Sequence, residues 1–250
     1  MGDLSEPDAP RRLDRGDGTR LAWRLRPGRG PTLLFLPGTA SDMMGSKAVA
    51  LDAWAARNGR AMLRFDYSGH GESDGAFEDG TLAGWRDDAL AIVDATNGDL
   101  VLVGSSMGGW LMLLVALARP DRIRALVGIA AAADFSDWGY SQDEKLTILR
   151  QGRIEQPSPY GAPSVTTRAF WESAETLRLL DAQIDFDGPV RLLHGEADHD
   201  VPSRVAGRIA ARVRSADVQT LLVKDGDHRL SRPQDIKLLL RTVESLLESL

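Results

Sequence analysis

The chain is 250 residues long, 43% hydrophobic and 26% charged, with 36 acidic against 30 basic side chains and a formal net charge of −6. That size suits one large domain, or one with an inserted subdomain, and the acidic balance offers no basic face for nucleic acid or an anionic membrane surface. The absence of cysteine excludes disulfides, thiolate metal sites and a cysteine nucleophile together, and fits a reducing compartment.

Residues 1–20 mix Asp, Glu, Arg and Pro. They lack the apolar stretch of a secretory signal and the acid-poor character of a transit peptide, so fraying and a cytoplasmic location are expected. Residues 19–26 alternate polar and apolar side chains, as an antiparallel edge strand or hairpin would. An apolar run at 33–36 reads as a buried strand and leads into Pro37-Gly38-Thr39-Ala40; a helical pattern covers 44–58. A strand at 61–65 precedes the loop Tyr67-Ser68-Gly69-His70-Gly71, and a second helix is expected over 82–96. The strand 100–103 runs into Gly104-Ser105-Ser106-Met107-Gly108 and a helix over 106–118, where Arg119 and Asp121 end the apolar run far short of a membrane span. Further strands at 125–129, 190–193 and 220–223, with helices over 203–214 and 233–250, complete a βα alternation. The prediction is an α/β fold with a mostly parallel sheet flanked by helices.

The alternation breaks once, between Ala130 and Val190, where about sixty residues are too many for a single crossover helix. The expected division is a core of residues 19–133 and 188–250 with an insertion at 134–187. The insertion carries a proline-rich stretch at 157–163 and two helical patterns, 142–150 and 168–180. It also concentrates aromatics, which predicts a lid over an apolar site with Trp138, Tyr140, Tyr160 and Trp171 as candidate substrate contacts. The plainer alternative is a helical embellishment whose aromatics only pack on the core.

Ser106 stands on a turn between a buried strand and a helix, flanked two residues away by Gly104 and Gly108. Such an elbow needs almost no side chain at those flanking positions, and it lifts the serine hydroxyl above the strand ends. The glycine spacing does not match a dinucleotide fingerprint and no phosphate-binding lysine follows, so a nucleotide-binding reading fails. A serine nucleophile requires a base and a carboxylate that orients it. Of the four histidines, His228 in the loop after the last strand is the expected base, whereas His70, His194 and His199 are read as structural. The acid comes from the turn His194-Gly195-Glu196-Ala197-Asp198-His199-Asp200, where Asp198 is slightly preferred over Asp200 and Glu196. Expected oxyanion donors are the backbone N–H groups of Met107 and Thr39.

The blocks Phe35-Leu36-Pro37-Gly38, Phe65-Asp66-Tyr67-Ser68-Gly69-His70-Gly71-Glu72-Ser73, Gly104 to Trp110 and His194 to Pro202 resemble successive motifs of the α/β-hydrolase superfamily, in order and over nearly the whole chain. Ser41-Asp42-Met43, Ala118-Arg119-Pro120, Arg191-Leu192-Leu193-His194-Gly195 and Asp227-His228-Arg229 are further similar to its mitochondrial branch that removes palmitoyl groups from protein cysteines and hydrolyses acyl glucuronides. The resemblance implies an eight-stranded sheet with a helical cap, Ser106 as nucleophile, Asp198 as acid, His228 as base, and Thr39 and Met107 at the oxyanion hole. It implies hydrolysis of a carboxylic ester or thioester through an acyl-enzyme, with a small acyl ester, a thioester or an acylated protein as substrate and no cofactor or metal. The insertion matches that branch least, and a bacterial relative is expected. Two alternatives accompany this reading: cofactor-free haloperoxidase or carbon-carbon hydrolysis on the same fold, and a ligand-binding protein on a hydrolase scaffold.

Overall fold

A computed structural model describes residues 10–157 and 163–250. In chain order, the first half comprises β1 (Arg11–Asp14), β2 (Arg20–Arg26), β3 (Arg29–Leu36), α1 (Ser46–Asn58), β4 (Arg60–Phe65), α2 (Leu82–Asp94), β5 (Leu100–Ser105), α3 (Met107–Ala118) and β6 (Ile123–Ile129). There follow α4 (Phe135–Trp138), α5 (Gln142–Gln151), β7 (Arg153–Gln156), β8 (Ser164–Thr167) and α6 (Arg168–Glu175), then β9 (Val190–Gly195), α7 (Arg204–Arg212), β10 (Val218–Val223) and α8 (Pro233–Glu248).

Eight strands form one sheet in the order β1-β2-β4-β3-β5-β6-β9-β10. The β1–β2 and β2–β4 pairs are antiparallel and all the rest parallel. Strands buried on both faces read as continuous apolar runs because each alternate residue still meets a helix. Leu33 and Phe35 of β3 and Val101 and Val103 of β5 face Leu51 and Trp54 of α1 and Leu239, Val243 and Leu246 of α8. Leu34, Leu36, Leu100 and Leu102 point the other way, toward α2, α3 and α7. Each such side chain, fully removed from water, contributes roughly 1.5–3 kcal/mol. Helix α3 is buried on every side from Met107 to Ala116, because α2 and the stretch between β6 and β9 cover the faces that the sheet does not.

The core helices agree with the sequence patterns and are locally well terminated. The Thr81 hydroxyl accepts the Gly84 N–H at the start of α2, and α1 closes on Gly59 in the left-handed region. The amino-terminal stretch departs from expectation. It does not fray through Arg20, since Arg11–Asp14 pairs with Arg20–Trp23 and the Arg11 guanidinium lies 5.1 Å from the Trp23 ring centroid. The sheet therefore starts before residue 19.

Two expectations for the inserted stretch also change. The helix expected over 168–180 stops at Glu175, and the buried Asp134 carboxylate then accepts the N–H groups of Leu179 and Leu180 at 2.9 and 2.7 Å. A β7–β8 hairpin, antiparallel from Arg153↔Thr167 to Gln156↔Ser164, lies where no strand was foreseen. Its four-residue strands carry one aliphatic side chain each, Ile154 and Val165, which gives no usable periodicity. No helix among the described residues is long and apolar enough to cross a membrane.

Candidate active site

The chain passes from β3 outward to β4 on one side and later to β5 on the other. The loops after β3 and β5 therefore diverge at their carboxyl ends, where open α/β sheets form their crevices. Thr39 follows β3 and Ser106 follows β5.

Ser106 adopts φ 55°, ψ −122° between β5 and α3, a conformation that a side-chain-bearing residue holds only when its surroundings over-determine it. Its N–H donates to Ile129 O at 2.9 Å, and its carbonyl accepts Gly109 N–H at 2.9 Å and Ala132 N–H at 3.0 Å. A Cβ on Gly108 would fall on the carbonyl oxygens of Leu36 and Pro37, and one on Gly104 on the carbonyl of Gly108. The two glycines flanking the elbow are thus demanded by backbone contact.

His228 and Asp198 reach Ser106 from later strands. His228 Nε2 lies 3.0 Å from Ser106 Oγ and Nδ1 lies 2.9 Å from Asp198 Oδ2. The carboxylate accepts only, so Nδ1 carries the proton and Nε2 faces the serine hydroxyl as acceptor. Asp198 is buried, whereas Glu196, His199 and Asp200 of the same turn are exposed, and burial separates the three acid candidates. Asp198 Oδ1 accepts the Asp200 and Val201 N–H groups at 2.9 and 2.8 Å. Burial works against the carboxylate charge, but hydrogen bonds from His194, His228 and Val201 outweigh it and hold the carboxyl well below its usual range.

Main-chain bonds tie the acid turn to the base loop: Glu196 N–H donates to Val223 O and Ala197 N–H to Gly226 O, each at 2.9 Å. Lys47 of α1 steadies the base loop from the other side, its Nζ donating to Arg229 O at 2.5 Å. Burial lowers this lysine's pKa to about 8.

Thr39 and Met107 stand together across the serine, with Thr39 Oγ1 donating to Met107 Sδ at 3.3 Å. Among the described residues, the backbone N–H of neither Thr39 nor Met107 is taken by another acceptor. Met107 begins α3, so its N–H belongs to the free first turn at the positive end of the helix dipole. Asp198, Asp200 and His228 also place ligand atoms within 4.8 Å of one another. Two of the three are already bonded to each other, so a cation there would compete with the Ser106–His228–Asp198 chain.

The family described as alpha/beta hydrolase fold matches residues 31–156. The human mitochondrial palmitoyl-protein thioesterase ABHD10 is 41% identical over 244 residues, covering 95% of this chain and 80% of the human protein. The chain belongs to the α/β-hydrolase family. The crystallographic relatives agree: alpha/beta hydrolase domain-containing protein 10 from mouse superposes with a TM-score of 0.91 at 39% identity, covering 96% of this chain and 99% of that one. A putative hydrolase from Agrobacterium vitis S4 superposes with a TM-score of 0.90 at 36% identity, covering 96% and 99% of the two chains.

In this α/β-hydrolase, the stretch between β6 and β9 packs onto α2 and α3. Trp110 Nε1 donates to Leu177 O at 3.1 Å, and Phe170 meets Trp85 with ring centroids 5.4 Å apart. Between them lies a cavity of about 110 Å3 lined by Thr39, Phe77, Trp85, Phe135, Tyr140 and Phe170 among others. Tyr140, one of the candidate contacts, lines it, and its hydroxyl pairs with Thr166 Oγ1 at 2.8 Å. Trp138 and Trp171 do not line it. Their indole N–H groups donate to Ala133 O and Ser136 O at 2.8 and 3.1 Å, which orients both rings within the insertion. Tyr160 lies outside the described residues. Phe77, Trp85 and Phe135 were not foreseen as lining residues, because two belong to the core and only their convergence with the insertion creates the cavity.

Proposed function

We propose that the protein is a serine hydrolase that cleaves carboxylic esters or thioesters through an acyl-enzyme on Ser106. The observation that carries this reading is the unbroken chain from Ser106 Oγ through His228 to the buried Asp198 carboxylate, with bonds of 3.0 and 2.9 Å. Family membership supports hydrolysis in general, and the chemistry of these side chains supports the rest.

In the proposed mechanism His228 Nε2 takes the Ser106 proton as Oγ attacks the acyl carbon. Asp198 holds His228 in the Nδ1–H tautomer and stabilises the imidazolium that forms. The developing oxyanion sits between the N–H groups of Met107 and Thr39, each such donor being worth on the order of a hundredfold to a thousandfold in rate. Collapse of the tetrahedral intermediate passes the proton from His228 to the departing alcohol or thiol. Water, activated by the same histidine, then releases the acid and restores the serine.

The acyl group would occupy the aromatic cavity beside Thr39, with the insertion at 134–187 acting as its lid. The similarity to palmitoyl-protein thioesterases supports thioesters, S-acylated proteins included, and the same serine chemistry extends to oxygen esters such as acyl glucuronides. Two measurements test the proposal. A fluorophosphonate probe should label the wild-type protein and not Ser106→Ala; labelling that survives the substitution overturns the nucleophile assignment. A series of S-acyl and O-acyl substrates from acetyl to palmitoyl should then give turnover that rises with fit to the cavity, and inactivity toward the entire series overturns the hydrolase reading of the site.

A further inference from the structure

His70 lies in the loop after β4, outside the Ser106–His228–Asp198 chain, yet both of its ring nitrogens are engaged. Nδ1 is 3.2 Å from Ser68 O, an atom that can only accept, so Nδ1 carries the proton and Nε2 presents a lone pair. The Ala40 N–H donates to that lone pair at 3.3 Å. The ring is buried and clamped edge-on, its centroid 5.6 Å from Tyr67, 5.2 Å from Phe77 and 4.9 Å from Trp85.

Ala40 is where this contact matters. The segment Gly38-Thr39-Ala40-Ser41 is a turn closed by Ser41 N–H donating to Gly38 O at 3.2 Å. Ala40 has φ 52°, whereas Thr39 is outside the left-handed region. This is the type II pattern, whose third position normally takes glycine because a Cβ is strained there. An alanine relaxes if the Thr39–Ala40 peptide flips to the type I form. The flip would turn the Ala40 N–H away from His70 and swing the Thr39 carbonyl toward a nitrogen lone pair, which repels it. The imidazole therefore selects the strained form of the turn.

We propose that His70 is a positioning residue for the oxyanion hole: by accepting the Ala40 N–H it pins the Gly38–Ser41 turn, and with it the Thr39 backbone, to the buried ring cluster and so keeps the Thr39 N–H in place beside Ser106. The role rests on the reading of Ser106 as nucleophile. It also requires a neutral ring. Burial, the largest influence, pushes the His70 pKa down; the Ser68 carbonyl and the acidic Asp88 and Asp42 act in the opposite sense. Asp88 is itself held by Arg15 at 2.7 Å. Two of the clamping rings, Phe77 and Trp85, also line the acyl cavity, so His70 joins the oxyanion turn to the wall that the substrate touches.

The test compares His70→Leu, which fills space without an acceptor, with His70→Gln, whose amide oxygen reaches toward the Nε2 position, using p-nitrophenyl butyrate. The leucine variant should lose about tenfold to hundredfold in kcat with KM within about threefold. A butyryl trifluoromethyl ketone, which binds as a tetrahedral adduct, should weaken in parallel with kcat, and His70→Gln should recover most of both losses. A folded His70→Leu with unchanged kcat, or with unchanged affinity for the ketone, overturns the proposal. Nitrogen NMR of the wild-type protein decides the matter even if the leucine variant does not fold: protonated Nδ1 and bare Nε2 are required, and a protonated Nε2 overturns it. Ser106→Ala separates the two levels. Turnover that persists in Ser106→Ala removes the nucleophile reading, whereas an inert Ser106→Ala beside an unimpaired His70→Leu removes only the role of His70.

Discussion

The strand-end loops and the insertion between β6 and β9 are held in different ways. The elbow, acid turn and base loop are cross-tied by main-chain bonds, with Ser106 joined to Ile129 and Ala132, and Glu196 and Ala197 joined to Val223 and Gly226. From residue 134 to 180 the insertion is fastened to the core by side chains, the Trp110 indole to Leu177 O, the Arg212 guanidinium to Leu180 O at 2.9 Å and the Ser173 hydroxyl to the Ala83 N–H at 3.0 Å, and among the described residues only its return at Ile184 and Phe186 bonds main chain to main chain, with Arg212, Arg214 and Ser215. Main-chain ties survive substitution of neighbouring side chains, whereas side-chain ties change with them. The proposed chemistry thus sits on the part that cannot easily drift, and the cavity sits against the part that can.

The strongest way to break this contrast is at the strand ends. Ser106→Ala or His228→Ala should each reduce kcat toward p-nitrophenyl esters by about a million-fold, with the double variant no worse, and Asp198→Asn by about ten-thousandfold. A comparable loss from Trp171→Phe, whose indole is bonded to Ser136 O within the insertion, would erase the distinction between the two regions. Gly108→Ala should come next. Its Cβ meets the Leu36 and Pro37 carbonyls, so soluble protein and activity should fall together, read by circular dichroism and turnover.

Phe170→Ala sharpens the contrast from the insertion side. The buried ring packs on Trp85 and Phe135, and its removal should cost about 3–5 kcal/mol by chemical denaturation. It should also shift the best acyl chain toward greater length, with the Ser106 labelling rate per folded molecule little changed. Tyr140→Phe is milder, about 0.5–1.5 kcal/mol for the lost bond to Thr166, visible as a small drop in melting temperature.

Lys47 gives an effect confined to one range of pH, with a defined sign. Its folded pKa of about 8 lies below the ordinary 10.5, so between those values the unfolded chain holds the extra proton and stability rises with pH. Lys47→Met should remove that rise, a change of about 2 kcal/mol in the unfolding free energies from urea titrations at pH 7.5 and 10.

Much of this was legible in the sequence. The β5 run, Gly104, Ser106 and Gly108 announce the elbow because strand burial, a strained turn and close backbone approach each restrict residue type. The parallel strands were equally readable, since burial on both faces leaves continuous apolar runs. The short strands β1, β7 and β8 escaped notice because four residues with a single aliphatic side chain have no period to detect. Trp138 and Trp171 are candidates for a different reason: composition reveals that aromatics cluster, whereas the direction of each ring is set by the indole bonds to Ala133 O and Ser136 O. His70 and His194 looked structural, and only their partners, Ala40 in one case and Val201 O at 2.8 Å with Asp198 at 3.4 Å in the other, connect them to the site.

By itself, the sequence determined the α/β alternation and the serine on its turn between strand and helix, because these follow from local periodicity and local backbone demands. Tertiary structure decided which of three neighbouring carboxylates is buried beneath His228, which rings enclose the cavity beside Thr39, and what holds Ala40 in a conformation that alanine disfavours. Those outcomes depend on contacts between segments tens of residues apart, and no local pattern encodes the direction in which two distant loops meet.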